Sequence, residues 1–239
     1  KLIFSKNNGP FWFIKQARVS KSLEKFKKRF FDNYKLKQYS NLVDPVLFFG
    51  IYNIEDLLLL KKHKGKKYIL WGGSDADYTQ QRHKIILQKV NQIKVNGHFA
   101  ISQDLKKRLD LLGFKSKYIN FNLTNKKIFQ PVKIFGNKIY IYNGPKPGRE
   151  DVYGKEYYEE VIKRLPEFEY IYSSNLNYNY NDMPKIYRHC FIGLRLTKHD
   201  GNANTVQEMG AMGIPVIHNG EHENSINWED VDDIELKIR

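Results

Sequence analysis

Short apolar runs alternate with segments of helical periodicity over most of the chain. In the first half this pattern predicts strands at residues 2–5, 46–49, 68–71, 98–102 and 116–120. It predicts helices at 54–63, 79–90 and 104–113, and a longer one from the turn at 7–10 to about Phe31. Strands that alternate with helices in this way are typical of a parallel sheet covered by helices.

A polar segment at residues 122–131, which has no clear period, interrupts this pattern. We interpret it as a linker between domains. Strands are then predicted at 138–142, 168–173, 191–196 and 215–218, with helices at 155–165, 183–189 and 204–212. The expected fold is therefore α/β, with two Rossmann-like domains, residues 1–124 and 132–239, that face one another across a cleft.

The composition is that of a globular protein. Of the 239 residues, 41% are hydrophobic and 14% aromatic, which is enough to bury a sizeable core. Cys190 is the only cysteine, so an intrachain disulfide and a multi-cysteine metal cluster are excluded, and we interpret Cys190 as a core residue. No apolar run approaches the roughly 18 to 20 residues of a membrane span, and the first residues do not match a signal peptide. We therefore expect a cytoplasmic protein.

A formal net charge of +14, from 40 Lys and Arg against 26 Asp and Glu, predicts attraction to polyanions. Three classes of partner fit this charge: nucleic acid, an anionic membrane surface and phosphorylated small molecules. No recognisable nucleic-acid-binding motif is present, so nucleic acid is not expected. One predicted helix is basic and amphipathic, with Lys21, Lys25 and Lys28 spaced beside Leu23, Phe26 and Phe30. Such a helix either docks on the protein surface or contacts an anionic membrane peripherally.

Ligands of open parallel sheets bind beyond the carboxyl ends of the strands, so the loops there are the first candidates for a site. One such loop contains Gly144 with Lys146 and Arg149. It is either a phosphate site or a rigid exposed loop with solvated charges. Farther along, Arg195 interrupts an apolar run and is followed by Lys198. A buried cation needs an anionic partner, which is either a ligand or an acidic side chain of the protein.

The most informative segment runs from Asp200 through a small-residue turn to Glu208. Unpaired N–H groups of residues 201–205 can face a diphosphate, while a carboxylate accepts hydrogen bonds from sugar hydroxyls. A competing interpretation is a capping box, in which Thr205 caps the helix and Glu208 bonds back to the N–H of Thr205. The capping box does not explain Asp200 in front of the helix.

The segment from Asp200 to Glu208, followed by Gly213-Ile214-Pro215-Val216-Ile217, resembles the E-x7-E segment of GT-B glycosyltransferases, especially glycosyltransferase family 4. The likeness covers much of the second half of the chain, which is similar to that family's nucleotide-binding domain. The resemblance implies transfer of a sugar from a nucleotide-diphosphate-sugar donor to a glycan, lipid or protein acceptor, with retention of the anomeric configuration. It implies no metal, no cofactor besides this co-substrate and no protein nucleophile.

By this resemblance Asp200 and Glu208 are the catalytic acidic residues. Glu208 would bind the ribose hydroxyls of the donor nucleotide and Asp200 would lie near the donor sugar, although the family has Glu where this chain has Asp200. The other residues expected at the donor are Gly9, Gly144, Lys146, Arg149, Arg195, Lys198, Gly201, Asn202, Ala203, Asn204 and Thr205. Family members usually continue beyond the Pro-Val-Ile strand, so a shortened C-terminal end is expected.

Two other functions stay open at this point. Asp75-Ala76-Asp77 is a D-x-D that follows a predicted strand, and in GT-A glycosyltransferases such a pair binds a divalent metal. We interpret this loop instead as the cleft-facing end of the strand, where Asp75 contacts the acceptor or donor or caps the next helix. The second alternative is a non-enzymatic protein that binds nucleic acid or an anionic membrane through its charge.

Overall fold

Two parallel sheets flanked by helices form the computed structural model, which describes residues 11–144, 148, 150–176, 178–197, 201–220 and 222–239. The chain divides into two units between Leu123 and Thr124. The predicted α/β class with two parallel sheets is confirmed. The arrangement of the two units across a cleft, and their division into an acceptor-side and a donor-side domain, stay predictions.

The first unit contains one parallel sheet. Its strands are β1 Gln16–Val19, β2 Lys37–Gln38, β3 Val46–Phe49, β4 Lys67–Trp71, β5 Gly97–Ala100 and β6 Ser116–Tyr118. Its helices are α1 Glu24–Tyr34, α2 Ile54–Lys62, α3 Gln81–Asn91 and α4 Gln103–Leu111. The strand order is β2-β1-β3-β4-β5-β6, which places β6 at one edge.

The inner strand β3 shows why helices cover both faces of this sheet. All four of its side chains are buried. Val46 and Phe48 belong to one hydrophobic cluster, while Leu47 and Phe49 belong to another that includes Phe30 of α1. Successive side chains of a strand point to opposite faces, so an unbroken apolar run of this kind needs a cover on both.

The long helix predicted up to about Phe31 is wrong. Its first part forms β1, and α1 begins only after a short 3-10 turn. Polar Gln16 is accommodated in β1 because the neighbouring loop uses its amide. Its Oε1 accepts the Ser40 N–H at 2.8 Å, and its Nε2 donates to the Asn41 carbonyl at 2.8 Å. Tertiary hydrogen bonds thus override a local helical pattern.

The other helices and strands predicted for the first unit are confirmed, with ends that shift by a few residues. The helix expected to open at Asp104 begins instead at a cap formed by Ser102, whose hydroxyl accepts the Leu105 N–H at 3.2 Å. The strand predicted at 2–5 and the turn at 7–10 lie outside the described residues.

The predicted basic amphipathic helix is α1 together with the turn before it. It buries Leu23, Phe30 and Tyr34 against the sheet, which confirms a helix that docks on the protein. On its outer side Lys28 pairs with Asp32 at 2.7 Å. Within the described ranges, no helix has both the length and the apolar character that a membrane crossing requires.

The second unit contains the other parallel sheet. Its strands are β7 Lys138–Ile141, β8 Glu169–Tyr172, β9 Cys190–Arg195, β10 Val216–His218 and β11 Ser225–Ile226. Its helices are α5 Lys155–Arg164, α6 Met183–Tyr187, α7 Asn204–Ala211 and α8 Val231–Ile238. The order is β11-β10-β9-β7-β8. The predicted elements are confirmed and Cys190 is buried as expected, but β11 and α8 were not predicted.

Part of the segment interpreted as a linker packs into the second unit. Phe129 is buried, and its ring centre lies 5.1 Å from that of Tyr180 and 6.2 Å from that of Tyr187. The Asn125 N–H donates to the Tyr180 hydroxyl at 2.9 Å. This segment therefore contributes to the hydrophobic core on the α6 and α7 side of the sheet.

Candidate functional site

The carboxyl ends of β7 and β8 are joined by hydrogen bonds that position the loop after β7. The Asn143 amide donates to Ser174 Oγ at 2.8 Å, and its Oδ1 accepts the Ser174 N–H at 3.0 Å. Ser173 Oγ donates to the Gly144 carbonyl at 3.1 Å. Gly144 has a φ of 101°, a conformation that favours glycine. The predicted phosphate loop thus starts from a fixed point at this edge of the sheet.

Arg195, the last residue of β9, places its guanidinium cation in a buried position at the carboxyl end of the same sheet. Only 9% of the residue is exposed. Its guanidinium carbon lies 4.1 Å from the centre of the Tyr142 ring and 5.7 Å from that of Tyr153. The faces of aromatic rings attract a cation and restrict its position. The predicted cation is therefore present, and two tyrosines orient it.

The start of α7 rules out the capping-box interpretation of Glu208. The cap residue is Ala203 and not Thr205, and no side chain caps the helix. Glu208 consequently lies beyond the first turn, where it cannot bond back to the cap in the predicted way. Its carboxylate accepts a hydrogen bond from the Tyr187 hydroxyl at 3.1 Å, and the residue is only 6% exposed. The sequence interpretation that gave Glu208 a local role is wrong.

Two tyrosine hydroxyls share the environment of Glu208. Burial raises the pKa of Tyr187 well above its usual value, and the charge of Glu208 raises it further. Burial also raises the pKa of Tyr140; Glu208 adds to this effect, while Arg195 opposes it. Both hydroxyls therefore stay protonated at neutral pH, which keeps Tyr187 a donor to the carboxylate.

Small residues bring α7 close to the strands beneath it. A Cβ atom on Gly193 of β9 would lie 2.7 Å from Sδ of Met209, the residue after Glu208. A Cβ on Gly210 would lie 2.4 Å from the Asn224 side chain, which donates to the Val206 carbonyl at 2.6 Å. The two glycines fix the height of α7, and with it that of Glu208, above the sheet.

Residues 201–205, which we predict to cradle the donor, comprise the turn before α7 and the first two residues of this helix. Ala203 and Thr205 are buried, and Asn202 accepts a hydrogen bond from the Gln207 amide. Asn204 is the first residue of the helix, so the N–H groups of its first turn point along the helix axis toward the turn that precedes it. The predicted donor residues that lie outside the described residues are Gly9, Lys146, Arg149, Lys198 and Asp200.

The structure adds three tyrosines that sequence reasoning missed. Tyr187 comes from α6, while Tyr142 and Tyr153 flank the loop after β7. None has a local signal, because each acts on a residue far away in the sequence. For Tyr142 the one indication outside the local pattern is that it ends the predicted strand 138–142, which lies beside the strand of Arg195.

The D-x-D of the first unit is engaged with its own loop. Asp75 is completely buried; its two oxygens accept the Gly72 N–H at 3.0 and 3.2 Å, and Oδ2 also accepts the Ile51 N–H at 3.2 Å. Asp77 accepts from Thr79 and Gln80. Among the described residues, no group of three or more His, Cys, Asp or Glu side chains is arranged to hold a metal. These contacts disfavour the metal-binding interpretation and give Asp75 a structural role in its turn.

Burial is also the main influence on the Asp75 carboxyl. It raises the pKa of Asp75 to about 6, against the lowering effect of the backbone N–H groups of Gly72 and Ile51. The carboxyl does not cap α3, which begins at Gln81. Contact between Asp75 and an acceptor stays a prediction.

The chain matches no protein-family model and no curated protein. Among solved structures it is similar to sucrose-phosphate synthase from Thermosynechococcus elongatus, with a TM-score of 0.48 and 13% sequence identity. The match covers 82% of this chain and 58% of that one. The chain thus spans little more than half the length of that structure.

Proposed function

We propose that the protein is a glycosyltransferase that moves a sugar from a nucleotide-diphosphate-sugar donor to a glycan, lipid or protein acceptor. The observation that carries this proposal is the Glu208 carboxylate, buried on α7 and oriented by the Tyr187 hydroxyl at 3.1 Å. With the capping box excluded, this carboxylate has no role in starting its helix. It suits a vicinal diol such as that of ribose, which donates two hydrogen bonds to one carboxylate.

Arg195 supplies the second element of the proposed site. Cleavage of a glycosyl phosphate bond builds negative charge on the departing diphosphate. A cation that is already desolvated and oriented, here by Tyr142 and Tyr153, stabilises such charge without reorganising as it forms. The N–H groups at the start of α7 add to this effect. Lys146, Arg149, Lys198 and Asp200 stay predicted contacts of the same donor.

The reaction that this set of residues supports needs no protein nucleophile. Following the family resemblance, we propose that the leaving phosphate takes the proton of the acceptor hydroxyl while the sugar is transferred with retention. Metal-independent transfer is part of the proposal. A divalent-metal reaction through Asp75 and Asp77 is the rival that the loop contacts of these two residues disfavour.

The test is a thermal-shift panel of nucleoside diphosphates and nucleotide sugars with the full chain. A ligand at 100 times its Kd stabilises the folded state by about 2.7 kcal/mol, so we expect one nucleotide class to raise Tm by several degrees with EDTA present. In Glu208→Ala this rise should disappear while the ligand-free melting transition stays cooperative. Asp75→Asn, which changes a buried carboxylate of the first unit, serves as the control and should keep the rise.

Two results would contradict the proposal. The first is a Glu208→Ala variant that keeps the nucleotide-induced rise and the transfer of sugar. The second is the absence of any rise with every nucleoside diphosphate tested. A rise that requires a divalent metal and is lost in Asp77→Asn would favour the metal-dependent rival instead.

A further inference from the structure

A groove in the first unit lies apart from the residues discussed above. Its volume is about 660 Å³. We call it the aromatic groove and define it by Trp12, Phe13, Tyr68, Phe99, Lys115 and Lys117, which line it. The groove combines apolar ring surface with cations, so its chemistry differs from that of an ordinary gap in a core.

Four aromatic rings form a continuous wall of this groove. The ring centres of Trp12 and Phe13 are 5.6 Å apart, those of Phe13 and Tyr68 are 5.1 Å apart, and those of Tyr68 and Phe99 are 6.2 Å apart. The wall is graded in exposure, since Trp12 is 50% exposed while Phe99 is buried. A ligand can therefore pack against Trp12 at the mouth without any change in the core.

Among the described residues, α1 covers only part of this face of the sheet. Phe30 and Tyr34 of α1 pack on Phe49 and Phe121. Toward the edge strand β6 the face is lined instead by Lys117 and by Lys115, which precedes the strand. Cations on an edge strand also discourage pairing with another chain, but that role does not require an aromatic wall opposite them.

A second pocket, of about 600 Å³, meets the aromatic groove at Asn96, which lines both. We call it the lysine pocket, after Lys64, Lys66, Lys67 and Lys94 in its wall. Asn96 is held firmly there. Its N–H donates to the Lys67 carbonyl at 2.7 Å, and its Oδ1 accepts the Lys67 N–H at 2.9 Å. The two pockets thus adjoin at this amide, and we refer to them together as the recess.

The lysines of this recess lack the ion pairs that some lysines of the helices form. On α1 and α4, Lys28 and Lys106 each pair with an aspartate four residues away. In the part of the chain that the structure describes, no acidic side chain lies within salt-bridge distance of the five lysines Lys64, Lys66, Lys94, Lys115 and Lys117. Asp44, at the same end of the sheet, is engaged by Lys15 and Asn41. The recess therefore concentrates positive charge that a bound anion would neutralise.

We propose that the aromatic groove and the lysine pocket together bind an anionic glycan. The apolar face of a sugar ring packs against Trp12 and Phe13, and phosphate, sulfate or carboxylate groups on the chain meet the lysines. The amides of Asn96 and Asn120, which also line the groove, suit sugar hydroxyls. This binding does not rest on the proposed function. Lys66, Lys94 and Lys115 precede β4, β5 and β6 and so lie at the amino ends of these strands, whereas a substrate of an open parallel sheet is expected beyond the carboxyl ends.

The shape of the recess favours a glycan over the two other polyanions. A bilayer surface is met by protruding apolar side chains, but here the cations line concave walls and only Trp12 among the four rings is exposed. Single-stranded nucleic acid needs several exposed ring faces on which successive bases stack. A chain of sugars needs one exposed ring and polar groups beside it, which this recess provides.

The experiment measures binding of the full chain to a short dextran sulfate by titration calorimetry. The neutral dextran of equal length, a dT12 oligonucleotide and phosphatidylglycerol vesicles are the comparison probes. We expect dextran sulfate to bind at least tenfold more tightly than neutral dextran. Trp12→Ala and the double variant Lys115→Gln/Lys117→Gln should each weaken that binding by about tenfold.

The matched control is Lys28→Gln/Lys163→Gln, which removes the same charge from exposed helix surfaces and should change the affinity less than twofold. An equal loss in this control would show that only net charge matters and would overturn the proposal. Trp12→Ala with unchanged affinity would also overturn it, as would equal or tighter binding of dT12 or of the vesicles. The nucleotide-induced thermal shift is measured in the same variants. A variant that loses dextran sulfate binding but keeps the nucleotide-induced shift is defective in the recess alone. The two sites can therefore be tested separately.

Discussion

Two buried carboxylates, one in each unit, differ in the groups that donate hydrogen bonds to them. Asp75 accepts backbone N–H groups of Gly72 and Ile51. Glu208 accepts the hydroxyl of Tyr187, a side chain that comes from another helix. Backbone donors hold the turn that they belong to, so removing Asp75 disturbs its loop. A side-chain donor orients a carboxylate without fixing the backbone around it. Glu208 can therefore accept hydrogen bonds from a ligand without disturbing its own helix.

The largest expected effect concerns Asp75 and is a change in the free energy of unfolding with pH. The pKa of Asp75 is raised from 3.8 to about 6 by burial, and Tyr52 is the other titratable group that faces it. The protonated carboxyl is therefore favoured in the folded state. Its stabilising contribution is complete below the unfolded pKa and is lost as the pH rises through about 6. At about 1.4 kcal/mol per pKa unit, the loss amounts to up to about 3 kcal/mol.

Denaturant unfolding of the wild type and Asp75→Asn at several values between pH 4.5 and pH 7.5 measures this loss. We expect the wild type to gain stability relative to the variant as the pH falls. Asp77→Asn is the control. Hydrogen bonds from Thr79 lower the pKa of Asp77 below 3.8, so its contribution to stability is lost only at more acidic pH, and the difference between the wild type and this variant should stay constant over the range measured. If the difference in unfolding free energy between the wild type and Asp75→Asn does not change with pH, Asp75 does not titrate as a buried structural carboxyl, and the comparison with Glu208 fails.

A smaller effect is expected from Tyr187→Phe, which removes the donor to Glu208 together with the hydrogen bond between the Tyr187 and Tyr140 hydroxyls. A net hydrogen bond of this kind contributes about 1 kcal/mol, so the donor nucleotide should bind about fivefold more weakly. The matched control is Tyr170→Phe, which removes the hydroxyl that donates to the Leu165 carbonyl at 2.7 Å. It should cost similar stability and leave nucleotide binding unchanged. If both variants bind the nucleotide like the wild type, Tyr187 does not position Glu208.

The smallest effect concerns the rings that orient the cation. Tyr142→Leu removes the closer of the two rings beside Arg195, at a cost of about 0.5 to 1 kcal/mol, and we expect nucleotide binding to weaken two- to fivefold. Tyr78→Leu is its counterpart in the first unit, where Lys84 Nζ lies 5.0 Å from the ring centre. Calorimetric titration with the nucleotide should show no change for this control. An equal loss of nucleotide affinity in both variants would show that the ring beside Arg195 has no specific role in donor binding.

The elements most accurately predicted from the sequence are those whose apolar pattern has only one solution. The unbroken run of β3 and the capped start of α2 at Asn53 leave little choice, and both are observed where they were expected. β1 was missed because Gln16 and Arg18 make its four residues look helical, and only the distant loop at Ser40 satisfies Gln16. β11 was also missed, because its two residues are too few to show an apolar pattern.

The candidate site divides in a similar way. The position of Glu208 near a helix start could be predicted, because the small residues before it mark a turn. Its partner could not, since Tyr187 lies 21 residues earlier in the chain and no local pattern connects them. The first residue of α7 was placed correctly at Asn204, yet the capping box, which would have started the helix after Thr205, competed with it. Hydrogen bonds between distant elements decide such cases, and a single sequence does not display them.

The contact between Gly193 and Met209 has a consequence for relatives of this chain. One methyl group added at 193 would meet the Met209 sulfur at 2.7 Å, so α7 would have to rise or the side chain at 209 would have to shrink. These two positions should therefore covary, with a larger residue at one tolerated only with a smaller residue at the other. Homologues that break this volume rule should show a displaced glutamate and a changed preference for the donor, even with every polar residue of the site intact.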